Sequence, residues 1–334
     1  MKRFACQCGQ SIYFDNHQCN VCRRQLAFDP VRLDMLAIAA DERGDGVAEF
    51  CTNRTSVIRC NWVARDDVAD GLCLSCQTSK VIPALNKPAN RERWRRLEVA
   101  KRRLIYGLLS EGLPVDPARL RFAFKEDRRT NPDVYEEHVS TGHASGVITI
   151  NAAEADDVFR EQMRRQMHEP YRTLLGHLRH ESGHYYFDII VDSQRLARAR
   201  ELFGDERVDY AAALQHHYVN GPVNDWWVNY ISAYASSHPM EDWAETWAHY
   251  LHIRAVLQTA RAHSMIPPVD ETDWETTFVD FVLTINEISR SLGLADAYPF
   301  TLSRKSIEKL EFMHETVRAY VDKHRPPVVP VSLH

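Results

Sequence analysis

The sequence predicts an α+β chain in which a cysteine-rich, metal-stabilised N-terminal module precedes a mostly helical domain with a small β-sheet. Three observations carry this expectation. All eight cysteines of the 334 residues fall before residue 77. Two alternating apolar runs, Leu120–Phe124 and Gly146–Asn151, read as strands. From Ala152 almost to the end, the apolar spacing is helical. A chain of this length divides naturally into two domains: residues 1–82 as the module, residues 90–324 as the helical domain, and residues 325–334 as an extended, proline-bearing tail.

Composition excludes several classes of function. The chain carries 41 basic and 46 acidic residues, a formal net charge of -5, which argues against a surface dominated by nucleic-acid contacts. No apolar run approaches membrane-spanning length, so no membrane role is expected. Met1–Asn20 lacks the apolar block of a signal peptide, and the expected address is cytoplasmic.

In such a reducing compartment, clustered cysteines bind metal in preference to forming a disulfide scaffold. The first set is Cys6, Cys8, Cys19 and Cys22; the second, with one looser half, is Cys51, Cys60, Cys73 and Cys76. Each set supplies four thiolates, the donor set of a closed, structural Zn2+ site. The pairs flank Ile12-Tyr13-Phe14, a short strand, as the two knuckles of a zinc ribbon would. Arginines near Cys22 and Cys60 make this double ribbon a candidate docking surface for a protein partner.

Ile82–Pro88 reads as a linker, after which an amphipathic helix spans about Asn90 to Ser110 and ends at Gly112-Leu113-Pro114. Arg91, Arg93, Arg95, Arg96, Lys101, Arg102 and Arg103 on this helix face only Glu92 and Glu98. Their first reading is a solvated face, with an acidic or nucleic-acid partner as the alternative. The strand runs 120–124 and 146–151 follow, separated by a turn at Thr130–Asp133, and form a sheet edge able to pair with an extended peptide.

The organising stretch is Leu178–Asp188, which contains His180-Glu181-Ser182-Gly183-His184. On a helix, residues four apart share a face, so His180 and His184 present their imidazoles to one metal ion, for which Zn2+ is the natural occupant. A zinc with two imidazoles and one further protein ligand keeps a position for water and lowers its pKa. Glu181 is then placed as the catalytic base for that water. Ser182 and Gly183 are small enough to let another backbone approach. The apolar flanks Leu174, Leu175 and Leu178 indicate burial, which makes a pair of merely solvated histidines the poorer reading.

Downstream, Phe203-Gly204-Asp205-Glu206 is a connection, Tyr210–Tyr218 a helix and Asn220–Asn224 a loop, with Trp226 and Trp227 expected in the core. Ser237 or His238 with Pro239 starts another helix. Along it, Glu241, Glu245, His249 and His252 fall on one face, opposite Trp243 and Trp247. A third-ligand histidine at position 190, preceded by glycine at 187, is excluded by Ile190 and Phe187. His249 and His252 lie too far along their helix from Glu241 to join it on a metal.

Three stretches together carry a resemblance: Arg179-His-Glu-Ser-Gly-His-Tyr-Tyr, Phe203-Gly-Asp-Glu and Ser237-His-Pro-Met-Glu-Asp-Trp-Ala-Glu. With the N-terminal cysteine ribbon, they resemble the gluzincin metallopeptidases, and in particular a bacterial family of zinc-binding metallopeptidases. The resemblance implies a zincin-like domain that hydrolyses peptide bonds in a peptide or protein substrate. It also implies one catalytic and two structural zinc ions. Carried onto this chain, it makes Glu241 the third ligand and Glu245 a carboxylate that orients a ligand histidine, with the reverse assignment as the alternative. Tyr234 is implied as a donor to the developing oxyanion, against a packed aromatic. The rival from another class is a catalytically silent zinc-ribbon adaptor or a module binding protein or nucleic acid. The presence of every catalytic residue type favours the enzyme.

Overall fold

Four thiols that must meet at one point draw a short chain into knuckles rather than long strands, and the N-terminal region follows that rule. In the computed structural model, which describes residues 1–39, 49–64, 70–167, 169–268 and 273–325, β1 (Phe4–Ala5) and β2 (Ser11–Ile12) pair antiparallel on either side of the first cysteine pair. A longer hairpin, β3 (Gln25–Asp29) and β4 (Asp34–Ile38), follows. Cys73 caps α1 (Leu74–Gln77), where its sulfur accepts from the Cys76 amide. Phe4, Phe14, Phe28 and Trp62 form the module's aromatic core, and Tyr106 from the next helix joins it, 5.2 Å from the Phe14 ring and 5.6 Å from that of Phe28.

The module is also tied in through a strand. β5 (Ser79–Val81), directly after α1, runs parallel to β6 (Arg121–Lys125), from beyond helix α2 (Pro88–Ser110). With β7 (Gly142–Ala144) and β8 (Val147–Asn151) these strands make one four-stranded sheet of order β5-β6-β8-β7, where only β7 is antiparallel. The two expected strands are therefore its centre. Between β7 and β8, Gly146 has φ +77°, and a Cβ there would sit 2.0 Å from the Arg119 carbonyl oxygen, so only glycine fits this turn.

Helix α2 departs from the expected solvated face. Lys101 and Glu98 are both fully buried and paired at 3.0 Å, and Arg102 is buried as well. Arg93 reaches Asp156 at 2.6 Å, and Arg95 and Arg96 pair with Glu92. Lys101 and Arg93 are drawn towards their carboxylate partners, a buried charge being best tolerated when paired, while Arg95 and Arg96 keep 44% and 39% of their side chains exposed, as a solvated face would.

The remaining helices are α3 (Asp157–Gln166), α4 (Leu174–Ile190), α5 (Ser193–Phe203), α6 (Tyr210–Asn220), α7 (Trp226–Asn229), α8 (Pro239–Ala262), α9 (Trp274–Ser291) and α10 (Arg304–His324). α4 and α8 cross as the central pair, and α2, α5 and α10 pack around them. Gly183 makes that crossing close: a Cβ there would lie 2.9 Å from the Ala244 Cα. Trp243 Nε1 donates to the Gly183 carbonyl at 2.9 Å and Trp247 Nε1 to Ser182 Oγ at 3.0 Å, which satisfies both indoles inside the core.

Trp226 and Trp227 are not core residues. They sit on the single-turn α7, which buries none of its residues, and Trp227 is 58% exposed. The helix is entered through Asp225 at φ 55°, and none of its four residues is enclosed by a neighbouring element. Of the expected tail, residues 326–334 lie outside the described residues; Arg325 ends α10. No helix among the described residues is long and apolar enough to cross a membrane.

Candidate metal centre and active site

The two cysteine sets each converge. Sulfurs of Cys6, Cys8, Cys19 and Cys22 gather in one place and those of Cys51, Cys60, Cys73 and Cys76 in another, with all ligand atoms of a group within 4.8 Å of each other. Cys6 and Cys22 sulfurs lie 3.4 Å apart, Cys8 and Cys19 3.7 Å, and Cys60 and Cys73 3.6 Å. Sulfurs placed tetrahedrally about 2.3 Å from a zinc are about 3.8 Å apart. The thiols are unbridged, and both sets match this donor geometry closely.

The third cluster lies between α4 and α8. Thr173 opens α4, its hydroxyl accepting from the Gly176 amide at 3.0 Å, a cap that contributes about 1 kcal/mol. One turn apart on this helix, the His180 and His184 rings stand 5.2 Å from each other. Helix α8 begins with His238, whose Nδ1 accepts from the Met240 amide at 3.0 Å, and with Pro239 in its first turn, which sets Glu241 against α4. Glu241 Oε2 is 3.0 Å from His180 Nε2, and its Oε1 is 3.5 Å from His184 Nε2. Donors around a tetrahedral zinc at about 2.0–2.1 Å are about 3.3 Å apart, and these separations bracket that value. Glu241 is completely buried, and its Oε2 has no hydrogen-bond partner, an arrangement that is costly unless a cation faces it.

Glu245, one turn on, accepts from His180 Nδ1 at 2.7 Å and from Ser232 Oγ at 2.6 Å. That contact fixes the ring and leaves Nε2 facing Glu241. Burial by itself would depress the His180 pKa, but Glu241 and Glu245 outweigh it and hold it well above the ordinary histidine range. Burial likewise opposes ionisation of Glu241, yet the facing His180 keeps that carboxyl down at about 2. Negative charge focused here in the absence of solvent favours a bound cation, whether proton or metal.

Glu181 is buried beside the cluster. Oε1 lies 3.5 Å from His177 Nε2, and Oε2 is buried without a hydrogen-bond partner, so one oxygen faces His177 while the other has an unused acceptor capacity. Burial raises its pKa; His177 and the charges of His180 and His184 reverse that, and the group stays a carboxylate. Tyr234 lies in the single helical turn before α8, its ring 6.0 Å from that of His180. Burial, followed by the Glu241 charge, pushes its phenol far up, so it remains a hydrogen-bond donor.

Each expected site residue thus arrives at one of three clusters. His249, expected to lie too far along its helix to join them, stays apart: its Nδ1 meets the Tyr298 hydroxyl at 2.7 Å. Two partners escaped the sequence reading. Tyr210, at the start of α6, donates to Glu241 Oε1 at 2.6 Å, and nothing local marks it. His177 stands one turn before Glu181, a spacing that the sequence does display. His143 lies nearly parallel to the His184 ring at 6.5 Å and accepts from the Gly146 amide.

Comparison with known proteins agrees with this geometry. A zinc-ribbon domain family matches residues 3–87, and the family described as "Putative zinc-binding metallo-peptidase" matches residues 90–316. Proteins of Mycobacterium bovis and of two Mycobacterium tuberculosis strains, each described as uncharacterized, are 41% identical to this chain over 337 residues, covering 95% of both partners. No solved structure matches. The chain belongs to the family of putative zinc-binding metallo-peptidases and carries an N-terminal zinc-ribbon domain.

Proposed function

We propose that the protein is a zinc-dependent peptidase that hydrolyses a peptide or protein substrate in a helical domain spanning residues 90–324, with residues 1–82 as a double zinc ribbon. His180 Nε2, His184 Nε2 and a Glu241 oxygen would hold the catalytic zinc, and the two four-cysteine groups one structural zinc each. The observation that carries this reading is the approach of Glu241 to His180 Nε2 at 3.0 Å while Glu245 engages the opposite ring nitrogen at 2.7 Å. A carboxylate on each side of one imidazole orients it as a ligand and fixes its tautomer. Two tetrathiolate groups of unbridged cysteines support a reducing, cytoplasmic address.

When bound, zinc supplies an acidified water and polarises the scissile carbonyl. Glu181 Oε2 takes the proton of the attacking water and then delivers it to the leaving amine nitrogen, so the carboxylate is regenerated within one turnover. Tyr234, protonated and beside His180, donates towards the oxygen on which negative charge develops. Tyr210 holds Glu241 Oε1 and so restrains the remaining ligand arm.

The test pairs wild type with Glu181→Gln: zinc counted per chain, and cleavage of a degenerate peptide library read by mass spectrometry. Three zinc ions in both proteins, with cleavage by wild type alone, is the expected result. Equal zinc with no cleavage by either protein supports the silent adaptor instead.

A further inference from the structure

We propose that Glu154 and His177 form a positioning relay that aims Glu181 at its water; this rests on the metallopeptidase reading of the α4 site. The chain of contacts starts in the sheet. Glu154 lies in the turn Ala152–Ala155 immediately after β8 and is buried. Thr141, just before β7, donates to its Oε1 at 2.9 Å, and Arg172 Nη2 reaches its Oε2 at 3.3 Å. The same Oε2 is 2.7 Å from His177 Nδ1. From the other side of the ring, Nε2 faces Glu181 Oε1 at 3.5 Å. His177 thus sits between two buried carboxylates, its nitrogens aimed at one each.

This arrangement has one consistent proton inventory. A neutral imidazole would turn a lone pair on one of the carboxylates, which favours the doubly protonated ring: Nδ1 donates to Glu154 at 2.7 Å and Nε2 carries its hydrogen towards Glu181, 3.5 Å away. Burial opposes that charge, but Glu154 and Glu181 together overcome it and raise the His177 pKa to about 9, with Arg172 a lesser opposing charge. With Oε1 of Glu181 facing His177, the unpartnered Oε2 is the oxygen that accepts the water proton. His177 keeps both of its hydrogens throughout, so it moves no proton and acts by holding Glu181 in one rotamer.

Four variants test the relay in the full-length, zinc-loaded protein: Glu154→Gln, His177→Ala, His177→Gln and the Glu154→Gln/His177→Ala double variant. The first readout needs no turnover. Nitrogen-15 NMR of the histidine rings, recorded about one unit above the ordinary histidine pKa of about 6.5, should show both His177 nitrogens protonated in wild type and only one in Glu154→Gln. A singly protonated His177 in wild type, or a pattern unchanged by Glu154→Gln, overturns the relay whether or not the protein cleaves peptides. The second readout is kinetic, on the peptide found by library cleavage. His177→Ala is expected to lose about ten- to hundredfold in kcat with KM little changed and zinc content intact. The Glu154→Gln/His177→Ala double variant should be no worse than the worse single variant. His177→Gln, which retains an N–H for Glu181, should recover part of the loss. Additive losses, or losses confined to KM or to zinc content, contradict positioning.

Discussion

Gly183→Ala should loosen the contact on which the α4 site depends. A Cβ at position 183 falls 2.9 Å from the Ala244 Cα and 3.1 Å from both Cβ and Cδ1 of Trp247, whereas ordinary contact begins at 3.4 Å. The obstructing atom at 2.9 Å is backbone, so α4 and α8 must separate by roughly 0.5 Å, since side-chain rotation gives no relief. Two effects oppose each other. Alanine gains about 1 kcal/mol of helix propensity over glycine, while overpacking a close helix crossing costs about 1–3 kcal/mol. Overpacking is expected to win, leaving a net loss of up to about 2 kcal/mol. The separation also pulls Glu241 on α8 away from His180 and His184 on α4, whose donors are 3.0 and 3.5 Å away. Denaturant unfolding and zinc titration on the same sample measure both consequences: reduced stability, and weakened binding at one zinc site with the two cysteine sites unchanged. Equal or greater stability with undiminished zinc affinity would refute the claim that this close crossing builds the site.

Three further outcomes follow from the same geometry. Glu245→Ala frees the His180 ring and leaves Ser232 without its acceptor, so zinc affinity at the third site should fall about ten- to hundredfold in a competition titration. Cys76→Ser removes a ligand from the set that caps α1 and leads into β5; because β5 is a strand of the sheet shared with β6, unfolding should lose cooperativity beyond the ribbon, as followed by the near-ultraviolet signal of buried Trp62 and Trp94. The Glu154–His177 contact should give stability a signature at both ends of the pH range. Glu154 is lowered from 4.5 to about 2, because His177 and Arg172 outweigh burial, so its contribution is present above pH 4.5 and disappears as pH falls towards 2. His177 is raised from 6.5 to about 9, so its contribution is complete below 6.5 and is lost as pH rises through 9. In Glu154→Gln, unfolding free energy plotted against pH should flatten in both windows.

Short-range patterns made much of this molecule legible. Cysteine spacing foretold two tetrathiol clusters because ligands close in sequence leave few geometries. The α4 histidines and the acidic stripe of α8 were visible as helical faces, and the approach of Glu241 to His180 follows once those two faces pack on each other. Four kinds of feature were less accessible. β5 and β7, three residues each, carry too little alternation to stand out, and only pairing with β6 and β8 makes them strands. The basic run of α2 reads as solvated unless the counter-charges of Glu98 and Asp156 are already in place. Trp226 and Trp227 show the converse, since apolar character does not by itself enclose a four-residue helix. Tyr210 and Ser232 hold the two α8 carboxylates from segments distant in sequence, and no local signal announces a partner supplied by tertiary structure.

The most direct test of the whole account is anomalous scattering at the zinc edge from a crystal of the loaded protein. Three peaks per chain are expected, two surrounded by four sulfurs and one bonded at about 2.0–2.2 Å to His180 Nε2, His184 Nε2 and a Glu241 oxygen. A crystal with only the two sulfur-bound peaks, or with a third peak that Glu241 does not touch, would contradict it.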